Sequence, residues 1–235
     1  PRSTRKESSA ASDVYKRQDF RLNKASNYLK WYKQKHRSVK NIKKALYWLP
    51  EIKEVWLKRF HIVGCPGCYP TSILLPLIPL VKKNLIKTDN IIIDSKSGYS
   101  GAGSGVHNKY KDKNLYESLS AYGVGFHRHN SEIQQEIKNY SKKKFSFTFT
   151  PHLTPMFRGI FSTIYVDLNK GVSIKKLENT LKSQYSKKRF VKILKTNSLL
   201  STNDVINTNN CSIVICKTKY KNRVIILSVI DNLIK

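Results

Sequence analysis

The spacing of hydrophobic and polar positions divides the chain into strands and helices. Residues 145–150 alternate with period two, which predicts a half-buried strand, and residues 160–168 and 90–94 predict two more. Residues 173–186 instead place apolar side chains at helical spacing, which predicts an amphipathic helix with one buried face, formed by Ile174, Leu177, Leu181 and Tyr185. The chain therefore mixes both kinds of element.

Three later segments, residues 189–194, 211–218 and 223–229, also read as strands, and the last two are joined by a turn at residues 219–222. Polar residues 131–144 predict a further helix, with Ser131 as its cap. Long strands that are often joined as hairpins, with few helices between them, indicate an α+β domain built on a mostly antiparallel sheet.

A cysteine-containing turn precedes the most apolar stretch of the chain. Pro66 and Gly67 are turn residues, Pro70 suits the first turn of a helix, and the apolar run that follows predicts a buried helix. Cys68 then lies at or just before a helix N-terminus, where unpaired N–H groups stabilise an anion and lower a thiol pKa. Cys68 is therefore a candidate nucleophile, and the alternative is a buried structural cysteine.

Composition is that of a globular protein, with 40% hydrophobic and 11% aromatic residues. The formal net charge of +29 would suit a nucleic-acid-binding module, which strong salt-dependent DNA binding would support. The lysines are spread over nearly the whole chain, however, and we interpret them as a solvated surface, with no specific nucleic-acid partner. No apolar run approaches the roughly 18 residues of a membrane span, so no membrane partner is expected.

The four cysteines do not suggest a disulfide framework in a chain of 235 residues. Cys65 and Cys68 with Cys211 and Cys216 have the spacing of a zinc set, but the second pair flanks a strand pattern instead of a polar turn. We therefore expect no metal site and a reducing, cytoplasmic location.

Four motifs in order carry a family resemblance: residues 66–71 (PGCYPT), 97–103 (SGYSGAG), 127–133 (HRHNSEI) and 149–160 (FTPHLTPMFRGI). Together they resemble the N-acetyl-gamma-glutamyl-phosphate reductase family, from about Asp19 to Lys235. The resemblance implies a glyceraldehyde-3-phosphate-dehydrogenase-like C-terminal catalytic domain with only a remnant of the Rossmann NADP-binding domain. It also implies a homo-oligomer, dimer or tetramer, acting in arginine biosynthesis.

The same resemblance assigns roles to individual residues. A thiolate displaces phosphate from an acyl phosphate, and NADPH reduces the thioester to an aldehyde. Cys68 is the expected nucleophile and His129 the acid/base, with His127 as the weaker candidate. The resemblance adds supporting or substrate-binding residues Arg21, Arg128, Glu132, His152 and Arg158. It also adds residues at the cofactor: Ser97, Gly98 and Asn232. If the segment is extended, His127 and His129 share one side and Arg128 faces the other.

The resemblance also divides the chain. Residues 1–18 are expected to be a non-native leader, 19–62 the tail of the NADP-binding domain with a connecting segment, 63–229 the catalytic and oligomerisation domain, and 230–235 the start of the return. No G-x-G-x-x-G follows a strand, so the fragment is expected to be inactive. The nearest alternative enzyme is the homologous aminoadipate-type reductase of lysine biosynthesis, because one methylene is difficult to read from sequence.

Overall fold

A computed structural model describes residues 15–16, 18–102, 117–141 and 143–235. Five α-helices are described: α1 Ala25–Tyr32, α2 Val39–Ile42, α3 Cys68–Lys82, α4 His129–Tyr140 and α5 Ile174–Tyr185. The strands are β1 Tyr15–Lys16, β2 Ala45–Tyr47, β3 Ile62–Gly64, β4 Ile91–Gly98, β5 Ser120–Ala121, β6 Phe147–Thr154, β7 Ile160–Asp167, β8 Val191–Ile193, β9 Cys211–Lys217 and β10 Arg223–Ile230.

A seven-stranded sheet forms the body of the described fold, in the order β5-β6-β4-β7-β10-β9-β8. Four neighbouring pairs are antiparallel, namely β5/β6, β4/β7, β7/β10 and β9/β10, whereas β4/β6 and β8/β9 are parallel. The predicted α+β class with a mostly antiparallel sheet is confirmed. Since β4 and β6 run parallel, both end at the same edge of the sheet.

The sheet buries one face and leaves the other partly open. Ile93 lies opposite Ile164, and both side chains are fully buried in the layer where α3 and α5 pack on the sheet. The neighbouring Ile92 points to the other face and is 39% exposed. This alternation is the period-two pattern of the sequence, and it places the hydrophobic core between the sheet and the helices.

Helix α3 is buried on all sides, from Tyr69 through Val81. Its interior contains Pro76 and Pro79, each of which lacks the N–H that would bond the carbonyl four residues earlier. For Pro79 that carbonyl belongs to Leu75, and the Tyr185 hydroxyl of α5 donates to it at 2.5 Å. A buried carbonyl therefore finds a partner from a neighbouring helix, which also fixes α5 against α3.

Several boundaries differ from the sequence prediction. Helix α4 begins at His129, and the Ser131 hydroxyl donates to the Arg128 carbonyl instead of capping the helix, so that prediction is wrong. Strand β4 continues to Gly98, further than residues 90–94. A parallel sheet β1-β3-β2 was not predicted at all, because strands of two or three residues show no periodicity.

Some predicted features lie outside the described residues. The loop at 97–105 is described only as far as Ala102, and of the predicted leader only Tyr15, Lys16 and Gln18 are described. Among the helices in the described part of the chain, none is long and apolar enough to cross a membrane.

The two adjacent isoleucines of β4 provide a matched test of this layer structure. Ile93→Ala removes side-chain volume from the core and should lower the free energy of unfolding by about 2–5 kcal/mol, a typical cost of a buried cavity. Ile92→Ala removes the same atoms from the open face and should cost less than half as much. Urea denaturation of both variants measures the difference, and equal losses would contradict the assignment of faces.

Candidate active site

Cys68 is the first residue of α3, preceded by Gly67 at the N-cap position. The side chain and backbone N–H of Thr71 both bond the Gly67 carbonyl at 2.9 Å and close the first helical turn. Arg21 holds the turn from outside, because its Nε donates to the Cys65 carbonyl at 2.6 Å and one Nη to the Pro66 carbonyl at 3.4 Å. The predicted position of Cys68 is confirmed.

Glu132 lies behind this turn with its side chain fully buried. Its Oε2 accepts the Gly67 N–H at 3.0 Å and the Tyr47 hydroxyl at 3.3 Å. Its Oε1 lies 3.6 Å from Arg21 Nη1 and 3.7 Å from His129 Nε2. Burial raises the pKa of the Glu132 carboxyl. This increase outweighs the lowering by the Arg21 charge and by the hydrogen bonds from Gly67 and Tyr47. One carboxylate thus joins the starts of α3 and α4.

The His129 imidazole packs directly on Gly67. A Cβ added to Gly67 would lie 2.4 Å from His129 Nε2, so only glycine leaves room for the ring. Burial, followed by the charges of His127, Arg21 and Arg128, holds the pKa of His129 well below its usual value. The ring is therefore neutral at pH 7, and its buried Nδ1 has no hydrogen-bond partner among the described residues. A neutral imidazole that lines the same cleft as a thiol can accept a proton.

His127 supports the loop that leads into α4. Its Nδ1 accepts the N–H of His129 at 3.2 Å, and its ring meets the edges of Tyr69 and Tyr122 with centroids 5.6 Å and 5.4 Å apart. Burial lowers the pKa of His127 to about 4, with a smaller contribution from Arg128. The helix starts at His129, so the extended geometry that would separate Arg128 from the histidines does not occur.

A cleft of about 390 Å³ brings most of the predicted residues together. Its lining includes Cys68, Ser97, Gly98, His127, Arg128 and His129. Four more residues line it that were not among the predicted site residues, namely Tyr69, Tyr122, Trp31 and Phe126. The hydroxyls of Tyr69 and Tyr122 lie 3.0 Å apart. Tyr69 belongs to the motif at residues 66–71, but no motif or periodicity in the sequence marks Tyr122 as its partner.

Of the residues predicted at the cofactor, Ser97 and Gly98 line the cleft and Asn232 does not. Gly98 backs onto Arg158, whose Cα would lie 2.7 Å from an added Cβ. Asn232 accepts the Gly159 N–H at 2.6 Å and donates to the Ser100 hydroxyl at 3.1 Å. Ser97 and Gly98 therefore reach the cleft, whereas the amide of Asn232 braces the two loops beneath it.

Four of the five residues predicted to support or bind the substrate lie outside the cleft lining, namely Arg21, Glu132, His152 and Arg158. His152 Nδ1 is 3.3 Å from Asp94 Oδ1 on the sheet face that the helices leave open. Arg158 Nε is 3.1 Å from Asp231 Oδ2, and its Nη1 donates to Asn207 Oδ1. Arg158 is thus held in an ion pair with a buried carboxylate, the structural alternative to binding a substrate.

The predicted lowering of the Cys68 pKa is wrong for the chain in this structure. Burial raises the pKa of the thiol above its ordinary value. The backbone N–H of Tyr69 and the charge of Arg21 act in the predicted direction, but the loss of solvation outweighs them. Glu132, an anion nearby, adds to the increase.

Alkylation of Cys68 by iodoacetamide tests this direction. Because only the thiolate reacts, we expect the rate to reach half its plateau at a higher pH than that of a free peptide thiol. Mass spectrometry assigns the adduct to Cys68, and Cys68→Ser shows the contribution of the other thiols. A half-maximal rate below that of the peptide would contradict the direction of the shift.

Gly67→Ala tests the packing of His129 on the N-cap. The added methyl group must displace the imidazole, and overpacking of this kind typically costs about 1–3 kcal/mol of the free energy of unfolding. In a His129→Ala background the space is free, so the same substitution should cost much less. Thermal or urea unfolding of the two singles and the double variant measures the coupling. Additive losses would show that the ring does not fill this space.

Comparison with known proteins shows which family this chain resembles. The family model described as semialdehyde dehydrogenase, dimerisation domain, matches residues 68–232. An Arabidopsis thaliana protein named probable N-acetyl-gamma-glutamyl-phosphate reductase, chloroplastic, is 46% identical over 221 residues, which is 92% of this chain and 54% of that protein. A Desulforamulus reducens protein named N-acetyl-gamma-glutamyl-phosphate reductase is 42% identical over 217 residues, 92% of this chain and 63% of its own.

Solved structures agree on the fold. Aspartate semialdehyde dehydrogenase from Francisella tularensis matches with a TM-score of 0.61 at 13% identity, over 81% of this chain and 67% of that one. The corresponding enzyme II from Vibrio cholerae matches with a TM-score of 0.59, over 81% and 64%. This chain spans between about half and two thirds of the length of the curated relatives that it matches.

Proposed function

This chain belongs to the semialdehyde dehydrogenase dimerisation-domain family, and from that premise we propose that it carries the catalytic portion of an N-acetyl-gamma-glutamyl-phosphate reductase. The names of its relatives support the substrate. The observation that carries the proposal is the arrangement at the cleft. Cys68 at a helix start and a neutral His129 line the same cleft, and His129 Nε2 lies 3.7 Å from the Glu132 carboxylate.

The proposed first step forms a thioester. His129 takes the proton of Cys68, and the thiolate attacks the γ-carbonyl carbon of the substrate. The carbon–oxygen bond to phosphate breaks, and inorganic phosphate leaves with that electron pair. The proton on His129 gives an imidazolium 3.7 Å from Glu132, where the carboxylate stabilises it. Backbone N–H groups at the start of α3 can stabilise the carbonyl oxygen as it becomes negative.

The second substrate of the proposed reaction is NADPH, which supplies a hydride to the thioester when it is bound. The residues present fit its nicotinamide end, because Ser97 and Gly98 line the cleft with Cys68. Asn232 lies against Gly101 at the same edge, where an added Cβ would be 2.7 Å from its amide nitrogen. The sequence contains no glycine-rich turn for a pyrophosphate, so we propose that this chain alone does not turn over.

Self-association belongs to the same proposal. The sheet face opposite α3 and α5 carries Ile92, Phe161, Tyr165 and Leu227, all partly exposed among the described residues. The matching family model is described as a dimerisation domain, which supports pairing of two copies. We propose that this face is the contact between the two copies.

Two further expectations stay predictions: the domain boundaries at residues 18, 62 and 229, and a cytoplasmic location. The plant relatives are named as chloroplastic.

The acyl-transfer half reaction tests the proposed function without the cofactor. Incubation with N-acetyl-gamma-glutamyl phosphate should release about one equivalent of phosphate and leave an N-acetylglutamyl group on Cys68, detected by peptide mass spectrometry. Cys68→Ser should form no adduct, and His129→Asn should react about a hundredfold or more slowly, as for loss of a general base. Cys211→Ser, a change at a buried cysteine of the sheet, is the matched control and should behave as the parent chain.

Two outcomes would contradict this proposal. An adduct on a different cysteine, or none on a Cys68 that iodoacetamide still alkylates, would remove Cys68 as the nucleophile. Oxidation of added NADPH at a steady rate would contradict the proposed inactivity of the chain on its own.

A further inference from the structure

A second cavity lies against later turns of α3 and α4 than those that line the catalytic cleft, and it shares no lining residue with that cleft. It measures about 520 Å³ and is walled by Leu46, Leu49, Ile52, Leu74 and Ile78 on its apolar side. Its polar lining includes Gln135, Glu136, Asn139 and Tyr140, together with Lys53 and Lys82. Its volume lies within the range of small-molecule sites in proteins.

Glu136 is the acidic group of this lining, which also contains Lys53 and Lys82, and it is more than nine-tenths buried. Its Oε1 accepts the amide of Gln135 at 2.9 Å and that of Asn139 at 3.4 Å. No lysine or arginine nitrogen of the described residues lies within 4 Å of the carboxylate. Burial raises the pKa of Glu136, and this increase outweighs the lowering by the hydrogen bonds from Gln135 and Asn139 and by the charge of Lys53 at the cavity wall.

The other buried carboxylates of the described chain are paired with cations. Glu51 pairs with Lys235, Glu132 with Arg21, and Asp231 with Arg158. The chain has 44 lysines and arginines against 15 aspartates and glutamates, so cationic partners are abundant. A buried carboxylate is costly unless a cation compensates it. Glu136 is the exception in this set, and it is the one that faces a cavity.

We propose that this cavity binds a small alkylammonium or alkylguanidinium compound, whose cationic head pairs with Glu136 and whose aliphatic chain lies on the apolar wall. The amides of Gln135 and Asn139 hold the carboxylate in place for such a head group. The ring of Tyr140, which also lines the cavity, offers a face for cation–π contact. The site is separate from the cleft that contains Cys68, and it does not depend on the proposed reductase activity.

Calorimetric titration of the whole chain with n-butylammonium and n-butylguanidinium chloride tests the proposal. We expect saturable binding of at least one cation and none of the neutral N-butylacetamide. Glu136→Gln keeps the shape of the side chain and should weaken binding at least tenfold. Glu117→Gln removes the same charge at an exposed position and should leave binding unchanged. Lys53→Met should tighten binding, because it removes a competing positive charge at the wall.

Equal binding to Glu136→Gln, or equal binding of the neutral analogue, would overturn the proposal. Thermal melting shows whether Glu136→Gln is folded. If it is not folded, Lys53→Met decides, since unchanged or weaker binding to that variant contradicts a cation beside Glu136.

A Lys side chain from a second copy could present the same head group. Loss of self-association in Glu136→Gln during sedimentation, without binding of either cation to the parent chain, would assign the cavity to that contact and reject a small-molecule site.

Discussion

The candidate active site depends on the contacts made by the carboxylate of Glu132. It accepts the N–H of Gly67 at the start of α3, and it lies in the first turn of α4, the helix that begins at His129. It is also the buried anion nearest Arg21, which in turn holds the carbonyls of Cys65 and Pro66. A buried charge with these partners fixes geometry because any displacement leaves either the anion or a buried N–H unpaired.

The sequence predicted those parts of the fold in which local pattern and tertiary structure agree. The spacing of apolar residues in 160–168 and in 173–186 was sufficient to predict β7 and α5. The turn at Gly67 followed by Pro70 was sufficient to predict the start of α3. It failed where no local pattern exists. The contact between Gly67 and Glu132 joins residues 65 positions apart. Helix α4 starts without a standard cap, because His127 Nδ1 takes the N–H of His129 instead.

The thiol of Cys68 shows how a correct local rule can give a wrong result. The helix N-terminus does favour the thiolate, as the lowering by the Tyr69 N–H shows, yet burial has the larger effect. The same burial keeps His129 neutral and therefore able to accept a proton. A site that shifts both groups toward their neutral forms favours transfer of a proton from thiol to imidazole only when attack on a carbonyl accompanies it.

Acidic residues are few in this chain compared with basic ones. Its fifteen acidic residues face 44 basic ones, and the buried acids Glu51, Glu132 and Asp231 each hold a cation that fixes a distant segment. Asp231, for instance, holds Arg158 and also accepts the N–H of Asn207 at 2.7 Å. In such a chain a buried acid is an anchor for tertiary structure. Glu136 is buried like these three acids but has no cationic partner among the described residues. A cationic ligand in its cavity would supply that partner, which packing alone does not.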